Sequence, residues 1–187
     1  MITRQPWYLF ALIAALALLA PAFAGAYPAA VPRTGQTTCY NSSGAAVTCA
    51  GTEQDGDIQA GVAWPNPRFA DHGDGTVTDS LTGLEWTKDA NAAGGTKTWQ
   101  GALDYVKTLN TGGHSDWRLP NSRELRSLAE YSRYNPALPQ SHPFTNVQSN
   151  YYWSSTSYAG STANAWIVDM FSGFVYDYNK TSNYYYV

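Results

Sequence analysis

Residues 73–86, GDGTVTDSLTGLEW, carry the pattern that decides the fold. An Asp-Gly turn precedes TVTD, which is typical of a short strand, and SLTG forms a second turn before LEW. In that last stretch, strand alternation places Leu84 and Trp86 on one face and Glu85 on the other. The segment is therefore predicted to form a β-hairpin with one apolar face.

Two helices are predicted to follow this hairpin. In residues 98–110, TWQGALDYVKTLN, apolar side chains recur at helical spacing, and Thr98 is a suitable N-cap. In residues 116–128, DWRLPNSRELRSL, Asn121 is a favoured N-cap and Glu124 completes a capping box three residues later. The predicted buried stripe of this second helix consists of Leu125, Leu128 and Ala129.

The last third of the chain is predicted to form antiparallel strands. Residues 151–156, YYWSST, are one strand, and residues 164–179, NAWIVDMFSGFVYDYN, form a hairpin that turns at Ser172-Gly173. Residues 184–187, YYYV, have the pattern of a last strand that is cut short. Helices beside an antiparallel sheet define the α+β class.

The N-terminus has the features of a secretory signal peptide over residues 1–24. One positive charge at Arg4 precedes an apolar run that ends in the small-x-small pattern Ala22-Phe23-Ala24. The alternative is a permanent membrane anchor, but the run is short for a span and contains Pro21 near its end. We expect a secreted, periplasmic or envelope protein with no transmembrane span in the mature chain.

The charge of the chain argues against nucleic acid as a partner. Without Arg4, ten Lys and Arg residues face fourteen Asp and Glu residues. A net negative protein repels the phosphate backbone, and it offers no general basic surface to polyanions. We therefore predict no nucleic-acid partner.

Residues 25–62 are predicted to be an N-terminal arm that contains a small hairpin. Cys39 and Cys49 flank a Ser-Gly turn, and in an exported chain such a pair is expected to form one local disulfide. Neither a metal site nor thiol chemistry fits the pair, because no His lies near it in sequence and the C-x-x-C spacing is missing.

The order of these segments resembles one known family. RFADHGDGTVTDSLTGLEWTKDA, TWQGALDYVKTLN, DWRLPNSRELRSL, YYWSST and AWIVDM follow one another as in the Lcl C-terminal domain family of exported bacterial domains. The resemblance covers residues 63–187. It implies a C-type-lectin-like scaffold, in which two helices pack on a twisted antiparallel sheet behind the disulfide hairpin arm, and a role in adhesion and ligand binding. Family members usually continue past the final strand, and in this fold the first and last strands pair, so we expect a chain truncated at its last strand.

Catalytic and metal sites have little support in the sequence. No nucleophile elbow, phosphate-binding loop or H-E-x-x-H motif occurs, and His72, His114 and His142 stand far apart. An enzyme on the same fold remains the weaker alternative, and no cofactor is assigned. Calcium at Asp71, Asp74 and Asp79 is the alternative to a simple turn, which we favour because the spacing differs from the EF-hand template.

Four arginines cluster around the predicted second helix. They could form a basic patch for sulfated glycans, or they could lie on a solvated face with Glu124 and Glu130 as ion-pair partners, which is the interpretation we favour. The four residues are Arg118, Arg123, Arg126 and Arg133.

The C-terminal third is rich in tyrosine. Eight of the fourteen tyrosines lie at or after Tyr151, mixed with Ser, Asn and Asp. Tyrosine gives rigid contact area at small entropic cost, and the small polar residues give adaptable hydrogen bonds, as in evolved binding surfaces. The alternative is that these tyrosines simply cover the sheet. The predicted ligand-binding residues are Tyr151, Tyr158, Asn164, Trp166, Tyr176, Tyr178, Asn179 and Tyr184.

The sequence therefore predicts an exported, adhesin-type module that binds a protein or a glycan at the cell surface. The Tyr, Asn, Ser and Asp mixture also fits a domain diversified by a retroelement that mutates adenines. The alternative from a different class is a structural subunit of a surface assembly, which would dock through its arm and its open last strand. Such a subunit could form a homo-oligomer.

Overall fold

The computed structural model describes residues 31–183 and Tyr186. The predicted signal peptide, the first residues of the arm and the predicted site residue Tyr184 lie outside this part of the chain. Within it, three small antiparallel sheets combine with three short helices, which confirms the mixed helix and sheet class.

The arm carries the first sheet. Strands β1 (Cys39–Tyr40) and β2 (Ala46–Val47) pair antiparallel, and helix α1 (Asp55–Ile58) follows. Cys39 and Cys49 form the predicted disulfide, with their sulfur atoms 2.08 Å apart. Gly56 of α1 lies so close to this hairpin that an added Cβ would come within 2.8 Å of the Thr38 carbonyl oxygen.

The second sheet contains the predicted hairpin and one strand more. Strands β3 (Phe69–Asp71), β4 (Thr76–Asp79) and β5 (Leu84–Thr87) lie in that order. The sequence predicted β4 and β5 but assigned no strand before the Asp-Gly turn. β3 was missed because three residues are too short to show alternation.

The two longer helices, α2 and α3, begin where their caps were predicted. Helix α2 (Trp99–Val106) has Thr98 as N-cap, and helix α3 (Ser122–Ser127) has Asn121 with the complete capping box to Glu124. Helix α2 ends at Val106, four residues before the end of the predicted helical segment at Asn110. The predicted stripe on α3 is buried at Leu125, Leu128 and Ala129.

The third sheet is formed by β6 (Tyr151–Ser157), β7 (Asn164–Asp169) and β8 (Val175–Asn179), in that order. In the predicted final strand, Tyr186 makes one parallel bridge to Tyr152. The Tyr186 N–H donates to the Tyr151 carbonyl oxygen, and the Trp153 N–H donates to the Tyr186 carbonyl oxygen. Both bonds lie on the edge of β6 that faces away from β7.

Two apolar clusters flank this third sheet. Tyr152 and Val168 belong to a cluster with Leu125 and Leu128, which also reaches Phe69 and Val77 of the second sheet. Neighbouring side chains on a strand point to opposite faces, so Trp153 and Ile167 belong to the other cluster, with Ala102 and Val106 of α2.

A buried ion pair joins the second sheet to the third helix. Nε and Nη2 of Arg68 donate to the two carboxylate oxygens of Asp79 at 3.0 and 2.9 Å. Nη2 also donates to the carbonyl oxygen of Ser127 at 2.6 Å, and the guanidinium lies 4.6 Å from the Trp64 ring. The carboxylate of Asp79 is fully buried and also accepts from the backbone N–H of Leu81.

Arg68→Met is expected to lower the free energy of unfolding by about 3–5 kcal/mol, because it leaves the Asp79 carboxylate buried without its cation. Urea denaturation measures the change. The matched control is Lys88→Met, which breaks the exposed Lys88–Asp71 pair at 2.6 Å and should cost about 0–1 kcal/mol.

The double substitution Arg68→Met with Asp79→Leu removes both charges and should recover part of the loss. Equal stabilities for Arg68→Met and Lys88→Met would show that the buried pair has no special role. A failure of Arg68→Met alone to fold, while Lys88→Met folds, would be the strongest form of the expected result.

Candidate functional site

The predicted binding residues lie on both faces of the third sheet. Tyr176 and Tyr178 pair with Ile167 and Ala165 of β7, so their side chains share the face of the α2 cluster. Tyr151 is on this face as well, because it pairs with Asp169 two residues beyond Ile167. The sequence prediction treated all these residues as one patch, which the register divides into two groups.

Four aromatic rings form a continuous row on the α2 side, which we call the tyrosine row: Phe174, Tyr176, Tyr151 and Tyr178. The Phe174 and Tyr176 centroids are 6.2 Å apart, and Tyr151 lies 6.4 Å from Tyr176 and 5.6 Å from Tyr178. Phe174 is 57% exposed, Tyr176 42% and Tyr178 38%. Three of the four rings are thus exposed, while Tyr151 is half-buried and packs against the α2 cluster.

The hydroxyl groups of the row act on one another. Tyr178 raises the pKa of Tyr151 by its nearby charge, and burial and a hydrogen bond between the two side chains contribute to the same upward direction. The Tyr151 hydroxyl therefore stays protonated at physiological pH, where it can donate and accept hydrogen bonds. The row can offer flat apolar faces and polar tips to a partner.

The other group of predicted residues lies on the α3 side of the sheet. The Tyr158 ring packs edge-on against Trp166, with centroids 4.9 Å apart. Asn164 donates from Nδ2 to the carboxylate of Asp177 at 2.9 Å, and the Asn179 side-chain oxygen accepts from the backbone N–H of Thr181. These polar groups hold the hairpin and its turn together.

Helix α2 is fixed to the sheet beneath the tyrosine row. Trp99 donates from Nε1 to the Ser154 carbonyl oxygen at 2.8 Å, and Trp153 donates from Nε1 to the Lys97 carbonyl oxygen at 3.0 Å. The Lys180 ammonium group lies 4.2 Å from the centre of the Trp99 ring. These contacts fix the third sheet, which carries the tyrosine row, against helix α2.

A cleft, which we call the central cleft, lies between the second sheet and helices α2 and α3. It has a volume of about 420 Å³, within the range of sites that hold small molecules. The cleft was not predicted, because its walls come from segments far apart in the chain. Its aromatic lining consists of Trp86, Tyr105, Trp117, Phe144, Tyr152 and Trp153.

Charged side chains stand among the residues that line the cleft. Arg118 donates to both carboxylate oxygens of Glu124 at 2.7 Å, and this pair lowers the pKa of Glu124. His114 Nε2 lies 3.7 Å from a carboxylate oxygen of Glu85. Asp116 also lines the cleft and is exposed.

The arginine cluster of the sequence is dispersed over different partners. Arg118 pairs with Glu124, Arg126 donates from Nε to the Tyr131 hydroxyl at 2.7 Å, and Arg133 donates to Gln140 at 3.3 Å. Glu124 is thus an ion-pair partner, as the solvated-face interpretation predicted, but its arginine precedes the helix.

The carboxylates of the Asp-Gly turn each have a separate local partner. Asp71 bonds Lys88, Asp74 accepts from the Thr76 hydroxyl at 2.7 Å, and Asp79 pairs with Arg68. Among the residues that the structure describes, no group of three or more His, Cys, Asp or Glu side chains could hold a metal ion. The same part of the chain contains no helix long and apolar enough to cross a membrane.

Tyr152, on the wall of the cleft, provides a pH test of its burial. Desolvation raises its pKa to about 12, against an ordinary value of about 10. The folded state therefore holds the phenol proton at a pH where the unfolded chain releases it. Stability is present in full below pH 10 and is lost as pH rises from about 10 to 12, by about 2–3 kcal/mol.

Urea denaturation at pH 9 and pH 11 measures this loss. Tyr152→Phe removes the titrating group and should have a smaller loss over the same interval than the unchanged protein. In the unchanged protein the Tyr152 hydroxyl accepts a hydrogen bond from the Gln148 N–H at 2.9 Å. The Phe variant lacks this bond at both pH values, so the missing bond does not affect the difference between pH 9 and pH 11. An equal loss in both proteins would contradict the burial of Tyr152.

The comparisons with known proteins give one match. The family model of the Lcl C-terminal domain matches residues 75–187, which is more than half of the chain. Searches of curated proteins and of solved structures found no match. The match spans the hairpin of the second sheet, both long helices and the whole third sheet. The chain belongs to the Lcl C-terminal domain family.

Proposed function

We propose that this protein is an exported, adhesin-type module that binds a protein or glycan partner at the cell surface through the tyrosine row. The observation that carries the proposal is a continuous row of four aromatic rings on a fixed support, of which three are exposed and three carry hydroxyl groups. Exposed large apolar side chains that lie together mark interaction sites more often than isolated ones do.

Binding through the tyrosine row should have a small entropic cost. Tyrosine has few rotatable bonds, and neighbouring rings in the row already restrict one another at 5.6–6.4 Å. A partner that covers the row would desolvate several rings at once and could bond their hydroxyls. Sugar rings and peptide backbones both present the apolar faces and polar edges that such a surface matches.

The C-type-lectin-like scaffold implied by the family resemblance is part of this proposal. In that scaffold the second half of the domain presents its loops and sheet face outward, where β8 and its tyrosines lie in this chain. The exposed Tyr and Asn positions of β8 are also the residue types that the retroelement hypothesis requires, and export through residues 1–24 would bring the domain to its partner.

The test is a binding screen with the exported chain on glycan and envelope-protein arrays, followed by affinity measurement on each captured component. Tyr176→Ser with Tyr178→Ser is expected to weaken binding at least tenfold, because it removes two exposed rings without opening the core. The matched control is Tyr40→Ser, which removes a 46% exposed tyrosine from the arm hairpin.

Binding that survives the double substitution unchanged would contradict the proposed role of the tyrosine row. Equal losses for the double variant and for Tyr40→Ser would do so as well. Circular dichroism of each variant separates lost binding from lost folding.

A structural subunit of a surface assembly is the second candidate, and the sheet order supports it. β8 lies at the edge of the third sheet, so its outer backbone groups can pair with a strand from another chain. The backbone bonds of Asp169 to Phe174 and of Lys180 to Ala163 place Val175 and Asp177 on this outer side.

Val175→Pro and Asp177→Pro, each tested alone, distinguish the two candidates. Both remove a backbone N–H from the outer edge of β8, and an edge position tolerates proline best. If the protein assembles through β8, light scattering should show oligomers for the unchanged chain and smaller species for the variants. A monomer in every case, with partner binding intact, would exclude the assembly function.

A further inference from the structure

We propose that the central cleft is a second binding site, separate from the tyrosine row, for a small organic cation with an aromatic or aliphatic body. Neither the family match nor the proposed function assigns a role to this cleft. The inference rests on its size, its lining and the charge at its rim.

The size and lining define the body of the ligand. Water in an apolar space forms fewer hydrogen bonds than in bulk, so replacing it with an apolar molecule is favourable. Six aromatic side chains and several leucines line the 420 Å³ of the cleft. Flat rings and aliphatic chains are the groups that such walls bind best.

The rim defines the charge of the ligand. Arg118 and Glu124 neutralise each other through two hydrogen bonds of 2.7 Å. Glu85 has only His114 as an ion-pair partner in the described part of the chain, and Asp116 has none there. With His counted neutral at pH 7, two negative charges remain without compensation.

An ammonium group at this rim would pair with Glu85 and Asp116 while its apolar body lies against the aromatic wall. Aromatic faces also attract cations directly through their quadrupoles, and Trp is the most effective ring in this respect. An anion of the same shape would meet the same apolar wall but would be repelled at the rim. The cleft should therefore discriminate by charge between ligands of equal size.

Isothermal titration of the exported chain with 9-(aminomethyl)anthracene and with anthracene-9-carboxylate measures this discrimination. The two probes share one tricyclic body and carry opposite charges. The amine is expected to bind at least tenfold more tightly than the carboxylate. Equal affinities, a preference for the carboxylate, or no binding of the amine up to its solubility limit would overturn the proposal.

Three variants locate the bound amine. Glu85→Gln with Asp116→Asn should weaken the amine at least tenfold and leave the carboxylate no weaker, while Glu53→Gln on the exposed arm should change neither. Ala92→Phe enlarges a cleft-lining side chain and should reduce binding of both probes. Unchanged amine affinity in the Glu85/Asp116 variant overturns the site even if Ala92→Phe does not fold.

The tyrosine row and the cleft can fail independently. Tyr176→Ser with Tyr178→Ser should leave the amine affinity within twofold of the unchanged protein. A tenfold loss in that variant would place the amine on the tyrosine row and overturn the cleft as its site, while the array screen for the proposed function would stand on its own result.

Discussion

The buried pair of Arg68 and Asp79 is the constraint on which the domain depends. A guanidinium and a carboxylate at no more than 6% exposure must satisfy each other, because desolvation without pairing costs several kcal/mol for each ion. Arg68 does so while also bonding the Ser127 carbonyl oxygen at the end of α3. The pair thus determines how the second sheet lies against the helix that packs on the third.

The tyrosine row is a consequence of strand pairing on that support. Ala165 and Ile167 of β7 are fully buried, and they lie directly opposite Tyr178 and Tyr176. Small and branched residues at the centre of the sheet let the larger rings of β6 and β8 lean toward each other, as the 5.6 Å separation of Tyr151 and Tyr178 shows. Tyr178 of β8 remains 38% exposed, and Tyr151 of β6 lies half-buried between it and the α2 cluster.

The sequence predicted what local chemistry determines. Thr98 and Asn121 were recognisable as caps because an N-cap needs only a side-chain acceptor at one position, and the Cys39–Cys49 pair because a short loop closes easily. The same alternation that identified β8 could have separated Tyr178 from Asn179, but the prediction grouped them by composition. Composition carries no information about which face of a sheet a residue occupies.

The central cleft could not be predicted, because it is a gap between elements that are tethered at both ends. At one end Arg68 bonds Ser127, and at the other the backbone N–H of Thr145 bonds the Lys88 carbonyl oxygen at 2.8 Å. The N–H of Ala90 returns to the Thr145 carbonyl oxygen at 2.9 Å, so the chain after β5 is held to the loop that carries Thr145. Apolar walls normally approach until they touch. Here they leave about 420 Å³ unfilled, although hydrogen bonds join the surrounding segments. The cleft walls therefore retain apolar surface that a ligand can cover, and covering it would release free energy.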